Sequence, residues 1–315
     1  MYSRRNFLTK SMGASAAFAV GISESNATET SKKSTITKKQ NTNMKLAAIS
    51  WTFGLDNLDE LFEKVSSIGY NGLQFCGDFK KYSASEVLAA AKKYDVEVTS
   101  YDPINCKPES DKEATLENSV AFYKKVIDYA AELGVPMATL QGLSFWTINE
   151  KDYEKAMLQI IEAVRQLNDY GKQKNILLTY EACCHYETTW VQTADELIRI
   201  KEEAKADNVK LVLDSFHMNI GEKDMLEPIR KIGGDALYSY HVSDSGRGGI
   251  GTGHIDYIAQ YNVLKEIGFD DLLCFEIVIP ECRPYKLPMN EAQMAEFTKQ
   301  SKNSLNFWKA LMGQS

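Results

Sequence analysis

The chain has 315 residues, of which 44% are hydrophobic and 25% charged, with a formal net charge of −7. That composition belongs to an ordinary globular protein with enough apolar residues for a sizeable core, and the length allows one large domain or two small ones. The first 43 residues hold seven Lys/Arg and two Asp/Glu, so the remainder is more acidic still; this argues against a nucleic-acid surface and suits a metal cation with a neutral substrate.

In chain order, the first signal is Ser3-Arg4-Arg5-Asn6-Phe7-Leu8, then Thr9 and Lys10, then an apolar run from Met12 to Ile22. With small residues near Ser25-Asn26-Ala27, residues 1–27 read as a signal peptide. The paired arginines point to the twin-arginine route, which carries folded proteins, and hence to the periplasm. The run is too short for a stable membrane span, and no other segment reaches spanning length. Residues 28–43 are rich in Ser, Thr, Asn and Lys and read as a flexible linker. One folded domain is expected over 44–315.

From there short apolar runs alternate with helical patterns. The expected strands are Leu46–Trp51, Gly72–Cys76, Glu97–Tyr101, Met137–Gln141, Ile176–Glu181, Lys210–Asp214, Leu237–Val242 and Leu272–Val278. After the first strand, Leu58, Leu61, Phe62, Val65 and Ile68 share a helical face, and Gly69 can end that helix. Ser83 with Glu86, and Thr193 with Glu196, form capping boxes that open two more helices. Further helices are expected over 113–133, 152–170, 224–232, 255–267 and 290–311. Eight strands alternating with eight helices predict an α/β fold, a (β/α)8 TIM barrel in one domain. The alternative, an open doubly wound sheet, lacks its glycine fingerprint: the first strand leads into Trp51-Thr52-Phe53-Gly54-Leu55.

The active rim of such a barrel is the C-terminal end of its strands. Strand five ends in Glu181, strand six in Asp214 and strand seven in His241, while strand eight carries Glu276. A carboxylate inside an apolar run needs a partner. Three carboxylates and an imidazole on four consecutive strands would repel one another unless a cation sat among them. One divalent metal ion is expected, and the donor set suits Mn²⁺, Mg²⁺, Co²⁺ or Zn²⁺. The six cysteines, at 76, 106, 183, 184, 274 and 282, show no CxxC spacing, and no disulfide is expected if the chain folds before export.

Three stretches carry a resemblance. Asp214-Ser-Phe-His217 reads D-x-x-H, His241-Val-Ser-Asp244-Ser-Gly-Arg247 reads H-x-x-D-x-x-R, and Gly251-Thr-Gly253-His-Ile-Asp256 reads G-x-G-x-x-D. In their order and spacing they resemble the xylose isomerase-like barrel superfamily, in the sugar phosphate isomerase/epimerase branch that includes ketose 3-epimerases, hydroxypyruvate isomerase and inosose-processing enzymes. The similarity runs from Lys45 to the C-terminus. It implies metal ligation by Glu181, Asp214, His241 and Glu276. It also implies catalytic proton transfer on opposite substrate faces by Glu181 and Glu276, and substrate binding by His217, Arg247 and Glu187. Asp244 is expected to position His241 or Arg247, and Asp256 to cap a helix. This chain has Ile250 where the family often has Pro, Gln74 where a Glu is common, and Gln141 at the end of strand four. Trp51, Tyr101 and Trp146 are candidates for an apolar wall, with core packing as the alternative for each.

The expected activity is metal-dependent isomerisation or epimerisation of a non-phosphorylated sugar or polyol ketone, because phosphorylated sugars are mainly cytoplasmic and no phosphate clamp is evident. A 3-keto-glycoside lyase using the same proton abstraction is the nearest alternative, and a non-catalytic sugar-binding barrel is a second. A small-molecule sugar is the expected partner, without nucleic acid, and with homo-oligomerisation left open.

Overall fold

The computed structural model describes residues 43–283 and 286–314. The stretch read as a signal peptide, and all but the last residue of the stretch read as a linker, lie outside the described residues. Eight parallel strands close into a barrel in sequence order: β1 (Lys45–Ile49), β2 (Gly72–Gly77), β3 (Glu97–Pro103), β4 (Met137–Thr139), β5 (Leu177–Glu181), β6 (Val209–Asp214), β7 (Leu237–Val242) and β8 (Leu272–Phe275). Closure is made by β1 against β8, with Lys45 opposite Leu272 and Ala48 opposite Phe275. The chain is therefore a (β/α)8 TIM barrel, as the alternation of elements predicts.

Among the described residues the α-helices are α1 (Leu58–Ile68), α2 (Ala84–Lys93), α3 (Leu116–Glu132), α4 (Tyr153–Lys174), α5 (Ala194–Ala204), α6 (Ser215–Gly221), α7 (Glu227–Ile232), α8 (Tyr257–Glu266) and α9 (Glu291–Leu311). Their boundaries follow local chemistry. Asn57 accepts a hydrogen bond from the Glu60 N–H to start α1, and Gly69 ends it at φ +104°, a backbone region where a Cβ would be strained. Leu61, Phe62, Val65 and Ile68 form the buried stripe of α1. Ser83 and Glu86 form the capping box of α2. At α5, Glu196 Oε2 accepts from the Thr193 N–H over 2.9 Å. Asp256 caps α8 by accepting from the Ala259 N–H.

Two hydrophobic layers hold the barrel. The larger lies between strands and helices and includes Phe62, Tyr123, Leu197, Leu264 and Trp308. The smaller, made of Ala47, Ile49, Met137, Leu272 and Cys274, comes from alternate positions of β1, β4 and β8, as period-two geometry requires of a barrel interior. Above this inner plug the same alternation brings polar side chains to the C-terminal rim. All six cysteines are free thiols. No helix among the described residues is long and apolar enough to cross a membrane.

Several boundaries differ from expectation. β8 stops at Phe275, and Glu276 follows it, still tied to the sheet by its N–H donating to the Val242 carbonyl. β3 runs two residues beyond Tyr101, to Pro103. α6 was not anticipated. It starts directly from β6, because Asp214 caps it by accepting from the Phe216 N–H over 2.6 Å.

Candidate active site

The strand ends of β5 to β8 bring Glu181, Asp214, His241 and Glu276 together, and one donor atom from each lies within 4.8 Å of the others. All four side chains are buried. The α6 cap divides the labour of Asp214: Oδ1 serves the helix N-terminus, whereas Oδ2 faces the cluster without a hydrogen-bond partner. His241 Nδ1 lies 3.1 Å from Glu276 Oε2 and 3.4 Å from Glu181 Oε1, and its Nε2 has no partner. Burial pushes the Asp214 carboxyl well above the ordinary carboxylate range, and the Glu276 charge adds to it. Burial alone would lower His241, but Glu181 and Glu276 overcome it and hold the imidazole well above its usual value. Orphaned donors in a buried, mutually repelling set fit a divalent cation, which would satisfy them together. Among the described residues two other groupings bring three metal-capable side chains together, Glu181 with Cys183 and His217, and Cys184 with Glu187 and His217. Each needs a thiolate, and burial raises both thiols, Cys183 far more than Cys184.

Beside this cluster stands Arg247. Its Nη2 donates to Glu276 Oε1 over 2.5 Å and its Nη1 to Glu187 Oε1 over 2.7 Å. Burial opposes the charge on Glu276, yet Arg247 and His241 hold its carboxyl well below the usual range. His217, on α6, accepts from the Cys184 N–H at Nδ1, which leaves Nε2 to face Glu187 Oε2 at 3.5 Å. Burial, then the Arg247 charge, keeps His217 low and therefore neutral. Arg247 itself sits at φ +63°, rare for a side chain of its size. The loop that holds it there is pinned by Asp244, whose carboxylate accepts from the N–H groups of Ser245, Gly251 and Ile255. A Cβ on Gly253 would come within 2.4 Å of Asp244 Oδ1, so only glycine lets the loop close on that carboxylate. Asp244 thus positions Arg247 through the loop backbone, and its side chain does not reach His241.

The cluster opens into a cavity of about 590 Å³, within the range of small-molecule sites. Glu181, His241, Glu276, Arg247, Glu187 and His217 all line it. Gln74 and Gln141 line it too; Gln141 Nε2 donates to Cys183 Sγ. Of the three aromatic candidates, Trp51 lines the cavity and its indole N–H donates to Glu276 Oε1 over 3.0 Å. For the other two the alternative of core packing holds. Tyr101 is fully buried, with its hydroxyl on the Gly77 carbonyl, and Trp146 turns its N–H to the Cys106 carbonyl. Phe145 and Tyr186 line the cavity instead. His185 is exposed, and His254 bridges Ser245 and Asn219.

One cavity carboxylate was missed. Asp102, on β3, lines the wall, and its carboxyl is pushed up to about 7 by burial and then by the charges of Glu181 and Glu276. The rule that polar residues at strand ends build the site would have found it, had β3 been carried past Tyr101.

The chain matches the xylose isomerase-like TIM barrel family over residues 62–309. It is 35% identical to an L-ribulose 3-epimerase of Mesorhizobium japonicum over 114 residues, which are 36% of this chain and 38% of that protein. The alignment thus spans well under half of that relative's length. Over longer stretches it is 25% identical to a D-psicose 3-epimerase of Enterocloster bolteae, covering 68% of this chain and 74% of that one. With a D-psicose 3-epimerase of Agrobacterium fabrum the identity is 23%, covering 80% and 92%. Among solved structures, D-psicose 3-epimerase of Clostridium cellulolyticum with D-tagatose superposes with a TM-score of 0.71 at 19% identity, over 85% of this chain and 99% of that one. A 3-keto-D-glucoside 4-epimerase of E. coli superposes with a TM-score of 0.69 at 18% identity, over 85% and 99%. At these identities the superpositions speak for the fold.

Proposed function

We propose a reaction on the premise that this chain belongs to the xylose isomerase-like TIM barrel family: it isomerises or epimerises a non-phosphorylated sugar ketone by moving a proton on the carbon next to the carbonyl. The observation that carries this reading is the buried convergence of Glu181, Asp214, His241 and Glu276, with Asp214 Oδ2 and His241 Nε2 left without partners, beside a sugar-sized cavity that Glu181, His241 and Glu276 line. These four residues would hold one divalent metal ion, with Mn²⁺, Mg²⁺, Co²⁺ and Zn²⁺ all compatible with the donors. Such an ion would polarise the carbonyl and stabilise the negative charge of an enediolate.

The protein's own groups supply the rest. Glu181 and Glu276 reach the site from β5 and the end of β8, so the two carboxylates can serve a substrate from different sides, one taking the proton and the other returning it. Trp51 and Arg247 both donate to Glu276 Oε1 and fix that carboxylate in place. Glu187 and neutral His217, braced by Arg247, offer an acceptor and a ring nitrogen to substrate hydroxyls. Because Arg247 is engaged by two carboxylates, it is ill suited to clamp a phosphate, which supports an unphosphorylated substrate. The twin-arginine sequence supports the same choice through an exported, periplasmic protein.

The test is an NMR time course of Mn²⁺-loaded protein in D₂O with a panel of free ketoses, run beside Glu276→Gln. Deuterium appearing next to the carbonyl with a rearranged ketose as product is expected, with Glu276→Gln slower by about 10²–10⁴-fold. Metal-loaded protein that exchanges no ketose proton, or a Glu276→Gln variant as fast as the parent, overturns the reading.

A further inference from the structure

The metal-site residues come from β5 to β8, but the cavity is also walled by β2 and β3, which carry a carboxylate that the chemistry above does not use. Asp102 lies on β3, four strands round the barrel from His241, and it lines the same cavity. No Lys or Arg among the described residues pairs with it. Its Oδ2 is held by the Gln74 amide nitrogen at 3.4 Å and faces the Cys76 thiol at 3.7 Å, both weak contacts, while Oδ1 accepts no hydrogen bond from the described residues. Asp102 is half-buried, so Oδ1 stays open to the cavity and can accept from whatever occupies it.

The surroundings look built to present that carboxylate. Ser100 Oγ and Cys274 Sγ both donate to Gln74 Oε1, at 3.3 and 3.7 Å, which fixes the side-chain amide so that its nitrogen points to Asp102. A glutamate at 74 would instead set two carboxylates side by side. Cys76 is anchored through its own N–H, which donates to Ser50 Oγ over 2.7 Å. Pro103 follows Asp102 directly, and the next residue, Ile104, is tied back by its N–H donating to the Gly77 carbonyl. Asp102 is therefore braced on both sides with one oxygen unspent and directed to the cavity.

We propose that Asp102, oriented by Gln74, is a hydroxyl-recognition subsite that selects the substrate by accepting a hydrogen bond from a sugar hydroxyl remote from the reacting carbon. The ligand class is a polyol chain or ring whose carbonyl end lies at the β5–β8 cluster and whose far hydroxyls reach β3. The inference rests on the reading of the cavity given under Proposed function. Recognition by a half-buried acceptor that a bound sugar would shield from water is selective, because an analogue without the hydroxyl leaves the acceptor unpaired.

The experiment measures exchange at C3 in D₂O, as kcat/KM, for D-fructose and its 4-deoxy, 5-deoxy and 6-deoxy analogues, using Mn²⁺-loaded parent, Asp102→Leu and the near-isosteric Asp102→Asn. The parent should discriminate against one deoxy analogue by about a hundredfold or more. Asp102→Leu should compress that ratio to within a few-fold of one, chiefly by losing rate on the hydroxylated substrate, whereas Asp102→Asn, which keeps one acceptor oxygen, should retain more of it. If Asp102→Leu fails to fold, Asp102→Ala serves as the acceptor-free variant. A parent that treats all four sugars alike, or an Asp102→Leu variant that slows all four by one common factor, overturns the subsite while leaving the functional reading standing. If the parent exchanges none of the four, the same deoxy series is made on the ketose of the panel that it does exchange, and only a parent that exchanges no ketose overturns both.

Discussion

The two halves of the barrel mouth differ in kind. The β5–β8 half is crowded with ionisable groups, Glu181, Asp214, His241 and Glu276, each buried and each shifting another's protonation. The β1–β4 half presents Trp51, Gln74 and Gln141, with Asp102 as its one cavity-lining carboxylate among the described residues and Lys107 lining the same cavity. Both halves are built on the same strand geometry, so the backbone does not account for the difference. On the function proposed above, it would reflect a division between chemistry and selection: charges that would act on one atom are gathered on adjacent strands, and the opposite wall, with fewer charges, would be left to match hydroxyls.

The largest effect that would break this comparison is expected at Asp214. Asp214→Asn keeps an oxygen to cap α6 but removes a charge from the cluster. Bound Mn²⁺, measured by elemental analysis after desalting, should fall to background, and exchange should drop by about 10²–10⁴-fold. The metal-free variant should melt no lower than metal-free parent, because burial already penalises that carboxylate. Retained metal would show that the four residues do not act as one site.

A smaller effect concerns Asp102. Its carboxyl is raised from 3.8 to about 7, so the folded state prefers the proton. The stability of metal-free protein that depends on this group is intact below pH 3.8 and is lost as pH rises through about 7. Asp102→Asn carries no such term. Metal-free Asp102→Asn should therefore exceed the parent at pH 8 by on the order of a few kcal/mol, and the gain should shrink as pH falls toward 4, as read by urea titrations. A pH-independent difference would place Asp102 in ordinary packing.

The smallest effect joins the two halves. Trp51→Phe removes the indole donor to Glu276 Oε1 while Arg247 remains on the same oxygen. A loss of about 1 kcal/mol, or roughly fivefold in exchange rate, is expected, with metal content unchanged. A loss as large as that of Asp214→Asn would mean that the β1–β4 half contributes to the chemistry.

Much of this was legible in the sequence because strand and helix periods are local. Gly69, the Ser83–Glu86 pair and Asp256 mark helix ends through contacts a few residues apart, and the structure places each where expected. The four polar residues at the ends of β5 to β8 stood out because each interrupts an apolar run. α6 escaped notice because it is short and starts without a linker: Asp214 is both the last residue of a strand and the cap of a helix.

By itself, then, the sequence determined the barrel, the order of its elements and the residues at the mouth of β5 to β8, all of which follow from hydrophobic period and position. The tertiary structure decided what faces what on the other half. Tyr101 and Asp102 are neighbours, so one points to the core and the other to the cavity. The choice depends on a register shift between β2 and β3, where Leu73 lies opposite Val98 but Gln74 lies opposite Ser100. In a strand a slip of one residue exchanges the two faces, and no local pattern reveals the slip. The bond from Trp51 to Glu276 spans 225 positions and exists because β1 closes on β8. Such contacts are set by closure of the whole ring, which is why they became visible only in three dimensions.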